Sequence, residues 1–325
     1  MIRRRVLLTC AALPCLRARA ADALPMPAGG RPWRIGWLSP AAAGGSGEPG
    51  VVAAFVAGMS GKGWVRDRHY TLELRTTNDA ARYGALADEL LAGSPDLLLG
   101  IETTARILRQ RTDRIPIVML ISIDPVAAGL VQSLARPGTN VTGMSGQFDA
   151  IVAKWIEALL ELVPRARRIA YLTDPGWSSS VKGVLQQAAA ARGIELELLA
   201  IGADAQSAQQ ALRELEARPP DGLIVPIQGG TLAHAGAIRA VVRRQRLPTV
   251  GLLPAGSVVQ IGPDFAASAR ESADFVDGIL RGARPADLPV RQATNYEVTL
   301  NAAMAREIGV DLPLALRVRA TRVIE

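Results

Sequence analysis

The second half of the chain repeats the first, and this repeat restricts the possible folds more than any other feature of the sequence. Three pairs of segments resemble each other in the same order and at similar spacing: 34–40 and 168–175, 79–101 and 204–227, and 114–120 and 246–252. Similarity that keeps both order and spacing indicates duplicated structural units, with chance similarity between units of like composition as the alternative. We therefore expect two similar lobes built from the same succession of elements.

Short apolar runs alternate with helical patterns along the first half. The predicted strands cover 35–38, 70–75, 96–101 and 115–121, and the predicted helices cover 51–59, 81–91, 103–111 and 126–134. Strands that are apolar on both faces and separated by helices are typical of parallel sheets with helices on both sides. The sequence thus predicts an α/β protein with two Rossmann-like lobes, each containing a parallel sheet of about four to six strands.

Residues 1–20 have the pattern of an export signal. Three arginines at 3–5 precede an apolar core at 6–16, and Ala18 and Ala20 form a small-x-small cleavage pattern. This core is too short to span a bilayer. The leader fits both the general secretory route and the twin-arginine route, and an N-terminal arm of a cytoplasmic protein is the alternative. We expect cleavage near Ala20, a location in the periplasm, and a linker at 21–32.

The positive charge of the chain is concentrated in this leader. The sequence has 37 Lys and Arg against 30 Asp and Glu, but five arginines lie within 1–20, which leaves 32 against 30. An even balance of charges does not favour nucleic acid as a partner. Both cysteines, Cys10 and Cys15, also lie in the leader. The mature chain therefore has no thiol for a disulfide, a metal site or catalysis.

Polar residues follow the predicted strands at their carboxyl ends, where open parallel sheets bind ligands. They occur at 39–40, 102–104, 122–125 and 143–145 in the first half and at 174–175, 228–231 and 252–254 in the second. Thr103, Thr104 and Thr231 also open helices, where free backbone N–H groups hold anions such as a carboxylate. Each of these residues alone is more often an ordinary helix cap. The prediction of a ligand crevice therefore depends on their convergence.

Nucleotide and metal chemistry find little support in the sequence. Residues 45–50 match G-x-G-x-x-G, but this motif begins six residues after the strand and contains Pro49, which has no N–H for a pyrophosphate. The two histidines, His69 and His234, have no second ligand at a suitable spacing, so no metal site is predicted. We predict no cofactor and no enzymatic activity. A nucleotide-dependent oxidoreductase with two Rossmann-like lobes stays open as the alternative.

Two other functional classes fit the same architecture. A transcriptional regulator would need a DNA-binding unit before the first lobe, and only 33 residues, with the composition of a leader and a linker, precede the first strand. Catalysis by the carboxylates of Asp124 or Glu102 alone also stays open. Neither class has a motif that favours it.

Several motifs in the mature chain form a pattern. They include Phe55-x-x-Gly58, Gly63-Trp64-Val65, Asp124-Pro125-Val126, Arg136-Pro137-Gly138-x-Asn140-Val141-Thr142-Gly143 and Gly262-Pro263-Asp264. This pattern resembles the substrate-binding proteins of bacterial ABC importers, in the tryptophan/tyrosine-type group. The resemblance implies a periplasmic-binding-protein type I fold, in which two lobes joined by three crossovers close over a small ligand. On that fold we place the first lobe at 33–145 plus 255–290 and the second at 146–254 plus 291–325.

The resemblance also implies a function and partners. The chain would be an exported, monomeric solute-binding protein that carries a small polar metabolite, with an amino acid as one candidate. It would deliver this ligand to the membrane-embedded permease of an ABC importer, without a cofactor, a metal or nucleic acid. A membrane sensor is the alternative partner, and the sequence does not distinguish it from a permease.

The family's site, carried over residue by residue, implies seven ligand-binding residues. They are Ser39, Thr103, Thr104, Asp124 and Ser145 in one lobe, and Asp174 and Gln228 in the other. For an amino-acid-like ligand, Thr103 and Thr104 at their helix N-terminus would bind the carboxylate. Asp124 or Asp174 would bind the ammonium group.

The chain departs from the family's pattern at three places that face the expected crevice. Glu102 stands where a small residue is often found, the stretch after Leu252 is shorter, and 260–262 replaces a common Ser-Tyr-Gly. The identity of the ligand therefore does not transfer from relatives. Three aromatic residues are placed to stack on an aromatic ligand, although each is equally suited to the core: Trp37, Phe148 and Trp177.

Overall fold

A computed structural model describes residues 24–41, 49–77, 79–146, 148–174, 179–252, 256–294 and 296–325. The predicted export signal at 1–20 lies outside these residues, as do residues 45–48 of the glycine-rich motif. Within the described part of the chain, no helix is long and apolar enough to cross a membrane.

The chain alternates strands and helices along most of its length. The strands are β1 (Trp33–Pro40), β2 (Tyr70–Thr77), β3 (Leu97–Gly100), β4 (Ile117–Met119), β5 (Val141–Gly146), β6 (Arg168–Thr173), β7 (Glu195–Ala200), β8 (Gly222–Val225), β9 (Thr249–Gly251), β10 (Val259–Pro263), β11 (Arg291–Ala293), β12 (Tyr296–Asn301) and β13 (Arg322–Ile324). The helices are α1 (Pro49–Ser60), α2 (Tyr83–Ala92), α3 (Glu102–Arg109), α4 (Phe148–Leu162), α5 (Ser179–Ala190), α6 (Ala205–Ala217), α7 (Gly229–Ala233), α8 (Ala235–Gln245), α9 (Phe265–Leu280), α10 (Ala302–Ile308) and α11 (Leu314–Arg319).

Two sheets that share the order of five strands form the two lobes. The first sheet has the order β11-β5-β4-β3-β1-β2, and all its neighbouring strands are parallel. The second has the order β13-β12-β10-β9-β8-β6-β7, with β12 antiparallel to β10 and the other pairs parallel. Strands β1 to β5 thus correspond in order to β6 to β10. The predicted α/β class and the internal repeat are both confirmed.

The repeat extends to individual hydrogen bonds. In the first lobe the Asp96 carboxylate accepts from the Arg34 amide at 2.7 Å, and the Asp96 amide donates to the Arg34 carbonyl at 2.8 Å. In the second lobe Asp221 makes the same exchange with Arg168, at 2.9 and 2.8 Å. Each aspartate therefore ties the start of one strand to the start of its neighbour.

These hydrogen bonds lower the pKa of both aspartates. For Asp221, the bonds from the Arg167 and Arg168 amides hold the pKa of the carboxyl below its ordinary value. For Asp96, partial burial acts to raise the pKa, but hydrogen bonds from the Arg31 side chain and the Arg34 amide lower it overall.

Helices cover both faces of the first sheet. On one face, α1 and α9 pack on the core around Trp37, Phe55 and Met144, and on the other, α2 and α3 pack on the core around Leu38 and Leu98. The α1–α9 contact is close because Gly58 has no side chain. A Cβ atom there would lie 2.6 Å from the Arg270 carbonyl oxygen of α9.

The strand pairing corrects two of the predicted lobe boundaries. We expected the chain to return to the first lobe at 255, but β10 pairs with β9 and β12 in the second sheet. We expected it to leave again at 291, but β11 pairs with β5 in the first sheet. The chain therefore crosses between the sheets after Gly146, after Pro263 and after Ala293.

Two local expectations also differ from the structure. The segment 126–134 forms turns instead of a helix, because Gly129 adopts a φ of 69° and the Leu130 amide donates to the Pro125 carbonyl. The described part of the expected linker, 24–32, lies against the first lobe. Its Leu24 packs on the lobe's core, and its Pro25 carbonyl accepts from the Trp33 indole at 2.8 Å.

Candidate functional site

The carboxyl ends of the strands in each lobe carry most of the predicted site residues. Ser39 lies near the end of β1 and Ser145 near the end of β5, and both are buried. Thr103 lies at the exposed start of α3, directly after β3. These positions agree with the expectation that polar residues follow the strands of an open parallel sheet.

Thr104 acts as a cap for its own helix. Its hydroxyl accepts from the Ile101 amide at 3.0 Å and donates to the Ile101 carbonyl at 3.2 Å, and its side chain is fully buried. Thr231 makes the matching pair of bonds with Gln228 at the start of α7. For these two threonines the structure shows the ordinary capping role that the sequence left open.

Glu102 ties the start of α3 to the loop after β4. Its Oε2 atom accepts from the Ser122 hydroxyl at 2.6 Å, from the Ile123 amide at 2.6 Å and from the Asp124 amide at 3.1 Å. Asp124 in turn caps the following turn, because its Oδ1 atom accepts from the amides of Val126 and Ala127. The structure thus brings Glu102 and Asp124 together.

Asp174 and Gln228 contact each other in the second lobe. The Asp174 amide donates to Gln228 Oε1 at 2.6 Å, and Asp174 Oδ2 lies 3.4 Å from the Gly230 amide. Tyr171 lies beneath this pair with its hydroxyl against Gln228. Burial raises the pKa of the Tyr171 hydroxyl far above its ordinary value, while the hydrogen bond with Gln228 acts in the opposite direction.

Across the described ranges, two of the predicted binding residues make no hydrogen bond to the others, and the predicted aromatic residues are not shown to line a ligand site. Within the described residues, no hydrogen bond links Thr103 or Ser145 to another of the seven. Trp37 is fully buried and packs edge-to-face on Phe55 with ring centroids 5.6 Å apart, so it belongs to the core. Trp177 lies outside the described residues, and so does the side chain of Phe148.

A cavity of about 300 Å³ opens between the lobes, beside the second crossover. From the first lobe it is lined by the starts of α1 and α9, including Val51 and Phe265. From the second lobe it is lined by Leu252 at the end of β9 and by polar residues of β10, β12 and β13: Gln260, Glu297, Thr299 and Arg322. None of the seven predicted residues lines it.

The polar wall of this cavity follows from the strand register. Gln260 pairs with Thr299, and Thr299 pairs with Arg322, so the three side chains share one face of the sheet. Sequence reasoning missed Gln260 because it placed β10 in the first lobe, and no local pattern linked Thr299 and Arg322 to the crevice. The departures noted at 260–262 and next to Leu252 were the available signal, since Gln260, Gly262 and Leu252 line the cavity.

Both histidines contact backbone atoms. His69 Nδ1 accepts from the Val65 amide at 2.9 Å, and His234 Nε2 lies 3.0 Å from the Ala203 carbonyl oxygen. No group of three metal-binding side chains occurs in the part of the chain that the structure describes.

A family model described as ABC transporter substrate binding protein matches residues 67–324, most of the chain. The chain belongs to this family of substrate-binding proteins. A curated relative, the tyrosine-binding protein of Clostridioides difficile strain R20291, is 25% identical over 254 residues, which cover 76% of this chain and 73% of the relative.

Solved structures support the fold of this substrate-binding protein. A conserved domain protein from Vibrio cholerae matches with a TM-score of 0.75 and 25% identity, covering 90% of this chain and 100% of that one. A domain from Streptococcus pneumoniae in complex with L-Trp matches with a TM-score of 0.73 and 22% identity, covering 89% and 100%. The periplasmic-binding-protein type I fold is confirmed, and the family does not support the oxidoreductase alternative.

Several family motifs of this substrate-binding protein stabilise its scaffold. Asn140 accepts from Arg109 at 3.0 Å and donates to the Ile115 carbonyl at 2.8 Å. The buried Trp64 indole donates to Asp277 of α9 at 2.7 Å. At Gly143, φ is 133° and a Cβ atom would lie 2.1 Å from the Met119 carbonyl oxygen. These residues hold the elements in place and do not themselves indicate a ligand.

Proposed function

We propose that this chain is an exported solute-binding protein that holds one amino acid between its lobes, with L-tyrosine and L-tryptophan as the first candidates. It delivers this ligand to the permease of an ABC importer. The observation that carries the proposal is a cavity lined by both lobes in a member of a substrate-binding family. The choice of ligand is supported by the tyrosine-binding relative.

The cavity offers a chemically suitable place for an aromatic side chain. Val51, Phe265 and Leu252 supply apolar contacts, while Gln260 and Thr299 supply hydrogen-bonding groups. A volume of about 300 Å³ lies at the small end of the range for small-molecule pockets, which fits a single amino acid. The ring would occupy this cavity, and the amino acid's charged end would face the strand ends.

The seven residues of the family's site would bind that charged end. Thr103, at the exposed start of α3, would donate a hydrogen bond from its hydroxyl to the carboxylate, which the helix dipole also favours there. Thr104 would serve by keeping this helix start in place, since its hydroxyl already bonds to Ile101. Asp124 or Asp174 would bind the ammonium group. Ser39, Ser145 and Gln228 would complete the lining.

The remaining parts of the proposal concern location and partners. Substrate-binding proteins of this family work outside the cytoplasm, which agrees with the export pattern at 1–20 and with a periplasmic location. The protein would act as a monomer, without enzymatic activity and without nucleic acid. Its partner would be the membrane-embedded permease.

Thermal unfolding with a panel of L-amino acids, nucleosides, small acids and nicotinamide cofactors tests this proposal. A ligand at 100 times its dissociation constant stabilises the protein by about 2.7 kcal/mol, which raises the melting temperature by several degrees. We expect this shift with an aromatic amino acid. Thr103→Val should weaken binding at least about tenfold and unfold like the wild type, because this side chain is exposed.

Thr71→Val is the matched control, because Thr71 is an exposed threonine near the start of β2, at the opposite end of the sheet. It should bind the ligand like the wild type. A shift produced only by nicotinamide cofactors, or by no amino acid at all, would contradict the proposal. Equal affinities in Thr103→Val and Thr71→Val would refute the assignment of the carboxylate to α3.

A further inference from the structure

Glu102 places a fixed carboxylate at the end of β4. Its Oε2 atom accepts three hydrogen bonds, from the Ser122 hydroxyl and from the amides of Ile123 and Asp124. All three donors are neutral, so they orient the carboxylate without cancelling its charge. The second oxygen, Oε1, makes no hydrogen bond with any residue that the structure describes.

No Lys or Arg among the described residues forms an ion pair with Glu102. Glu102 is half-buried and takes part in none of the ion pairs among the described residues. The described segments at the strand ends, 39–41, 101–104, 120–125, 173–174, 226–231 and 262–265, contain no Lys or Arg. A carboxylate that is partly withdrawn from water and has no cation beside it attracts a positively charged group more strongly than an exposed one does.

The donors at the end of β4 are also unavailable to a ligand's carboxylate. Amides and a hydroxyl that converge on one point would otherwise suit an anion, but Glu102 Oε2 already occupies that point. A ligand carboxylate brought there would lose these hydrogen bonds and would meet the negative charge of Glu102. An ammonium group would meet a fixed acceptor.

We propose that Glu102 is a specificity-determining residue that selects ligands carrying an ammonium group and rejects carboxylates that lack one. This inference rests on the proposed function, and it goes beyond the site implied by the family because Glu102 departs from the family's pattern. The adjacent Thr103 is the position proposed for the ligand's carboxylate. Glu102, together with Asp124 or Asp174, would thus face the ammonium group of a zwitterionic amino acid whose carboxylate binds at Thr103.

Matched pairs of amines and acids test this selection. The probes are L-tyrosine, tyramine and 3-(4-hydroxyphenyl)propionate. Tyramine lacks the carboxylate, and 3-(4-hydroxyphenyl)propionate lacks the amine. A second pair, an aliphatic amine and the matching aliphatic acid, repeats the comparison without the ring. Calorimetry on the wild-type protein should show tighter binding of the amine than of the acid. Glu102→Gln should reduce the ratio of the two dissociation constants at least about tenfold, which equals about 1.4 kcal/mol.

Glu271→Gln is the control, because it makes the same substitution on α9, away from the strand ends and from the interlobe cavity. It should leave the ratio within about twofold, and both variants should melt near the wild-type temperature. An unchanged ratio in Glu102→Gln, a wild-type preference for the acid, or failure of every amine to bind would overturn the proposal. Amine preference without binding of any amino acid would instead refute the proposed function and support the role of Glu102.

Discussion

Asp221 illustrates how a single side chain fastens two strands of the second lobe. Its carboxylate accepts from the amides of Arg167 and Arg168 at 2.7 and 2.9 Å, and these bonds lower its pKa. A carboxyl group with a lowered pKa in the folded state stabilises that state above its unfolded pKa of about 3.9. This stabilisation is lost as the pH falls through the lower, folded pKa.

Asp221→Asn should therefore destabilise the protein in a pH-dependent way. We expect a loss of about 1 kcal/mol in the free energy of unfolding at pH 7, because a charge-assisted hydrogen bond becomes a neutral one at an exposed position. The difference from the wild type should shrink as the pH falls below about 4 and the wild-type carboxyl becomes protonated. Urea unfolding at pH 7, 5 and 3 measures this difference in the free energy of unfolding.

Asp311→Asn provides the comparison, because Asp311 is exposed and makes no hydrogen bond or ion pair with the described residues. Its unfolding free energy should follow the wild type at every pH. A constant difference between Asp221→Asn and the wild type from pH 7 to pH 3 would mean that the charge of Asp221 is not the stabilising feature.

At the scale of single residues, the sequence reveals partners where the repeat duplicates them. The aligned segments contain Arg34 and Arg168, and the paired Asp96 and Asp221 lie at the matching strand starts. The threonine caps at Thr104 and Thr231 were likewise foreseeable as an alternative. The three bonds to Glu102 were not, because they depend on the loop after β4, whose path follows from tertiary contacts and not from local pattern.

The contact between α1 and α9 joins two elements that lie far apart in the sequence. Gly58 faces α9 so closely that a Cβ atom would lie 2.6 Å from the Arg270 carbonyl oxygen and 2.9 Å from the Ala273 Cβ atom. Backbone atoms yield little, so a side chain there must push the helices apart. This explains why the motif Phe55-x-x-Gly58 contains a glycine.

Gly58→Ala should reduce the free energy of unfolding by about 1 to 3 kcal/mol, in spite of the higher helix propensity of alanine. Gly278→Ala on α9 is the control, because its Cβ atom would meet only ordinary contacts at 3.9 Å. We expect this second change to be neutral or to stabilise by up to about 1 kcal/mol. Chemical denaturation measures the free energy of unfolding of both variants. Equal changes in the two variants would show that the close approach of α1 and α9 does not make position 58 intolerant of a side chain.

At the scale of elements, the alternating strands and helices of the first half were mostly predicted well, whereas the segment 126–134 and the strands beside the crossovers were not. The helices α1, α2 and α3 and the strands β1 to β4 lie where their apolar patterns placed them. The lobe membership of β10 and β11 was wrong, because short strands next to crossovers carry no local signal for the sheet they join. The polar wall of the interlobe cavity was missed for the same reason, since Gln260 lies on β10.

The whole molecule consists of two similar lobes joined by three crossovers. Each crossover is only a few residues long, because the next element begins at Phe148 after Gly146, at Phe265 after Pro263 and at Tyr296 after Ala293. Such short connections permit rotation of one lobe against the other about a hinge. We expect a bound ligand to contact both lobes and favour the closed arrangement, because the cavity draws its lining from each.

Isothermal titration calorimetry of the purified protein with L-tyrosine and L-tryptophan tests the central claim most directly. We expect saturable binding of one ligand per chain, with a negative change in heat capacity because apolar surface of the ring is buried in the cavity. We also expect the ligand to be recovered chemically unchanged. The absence of binding heat for both amino acids across a range of temperatures would contradict the claim that this cleft holds an aromatic amino acid.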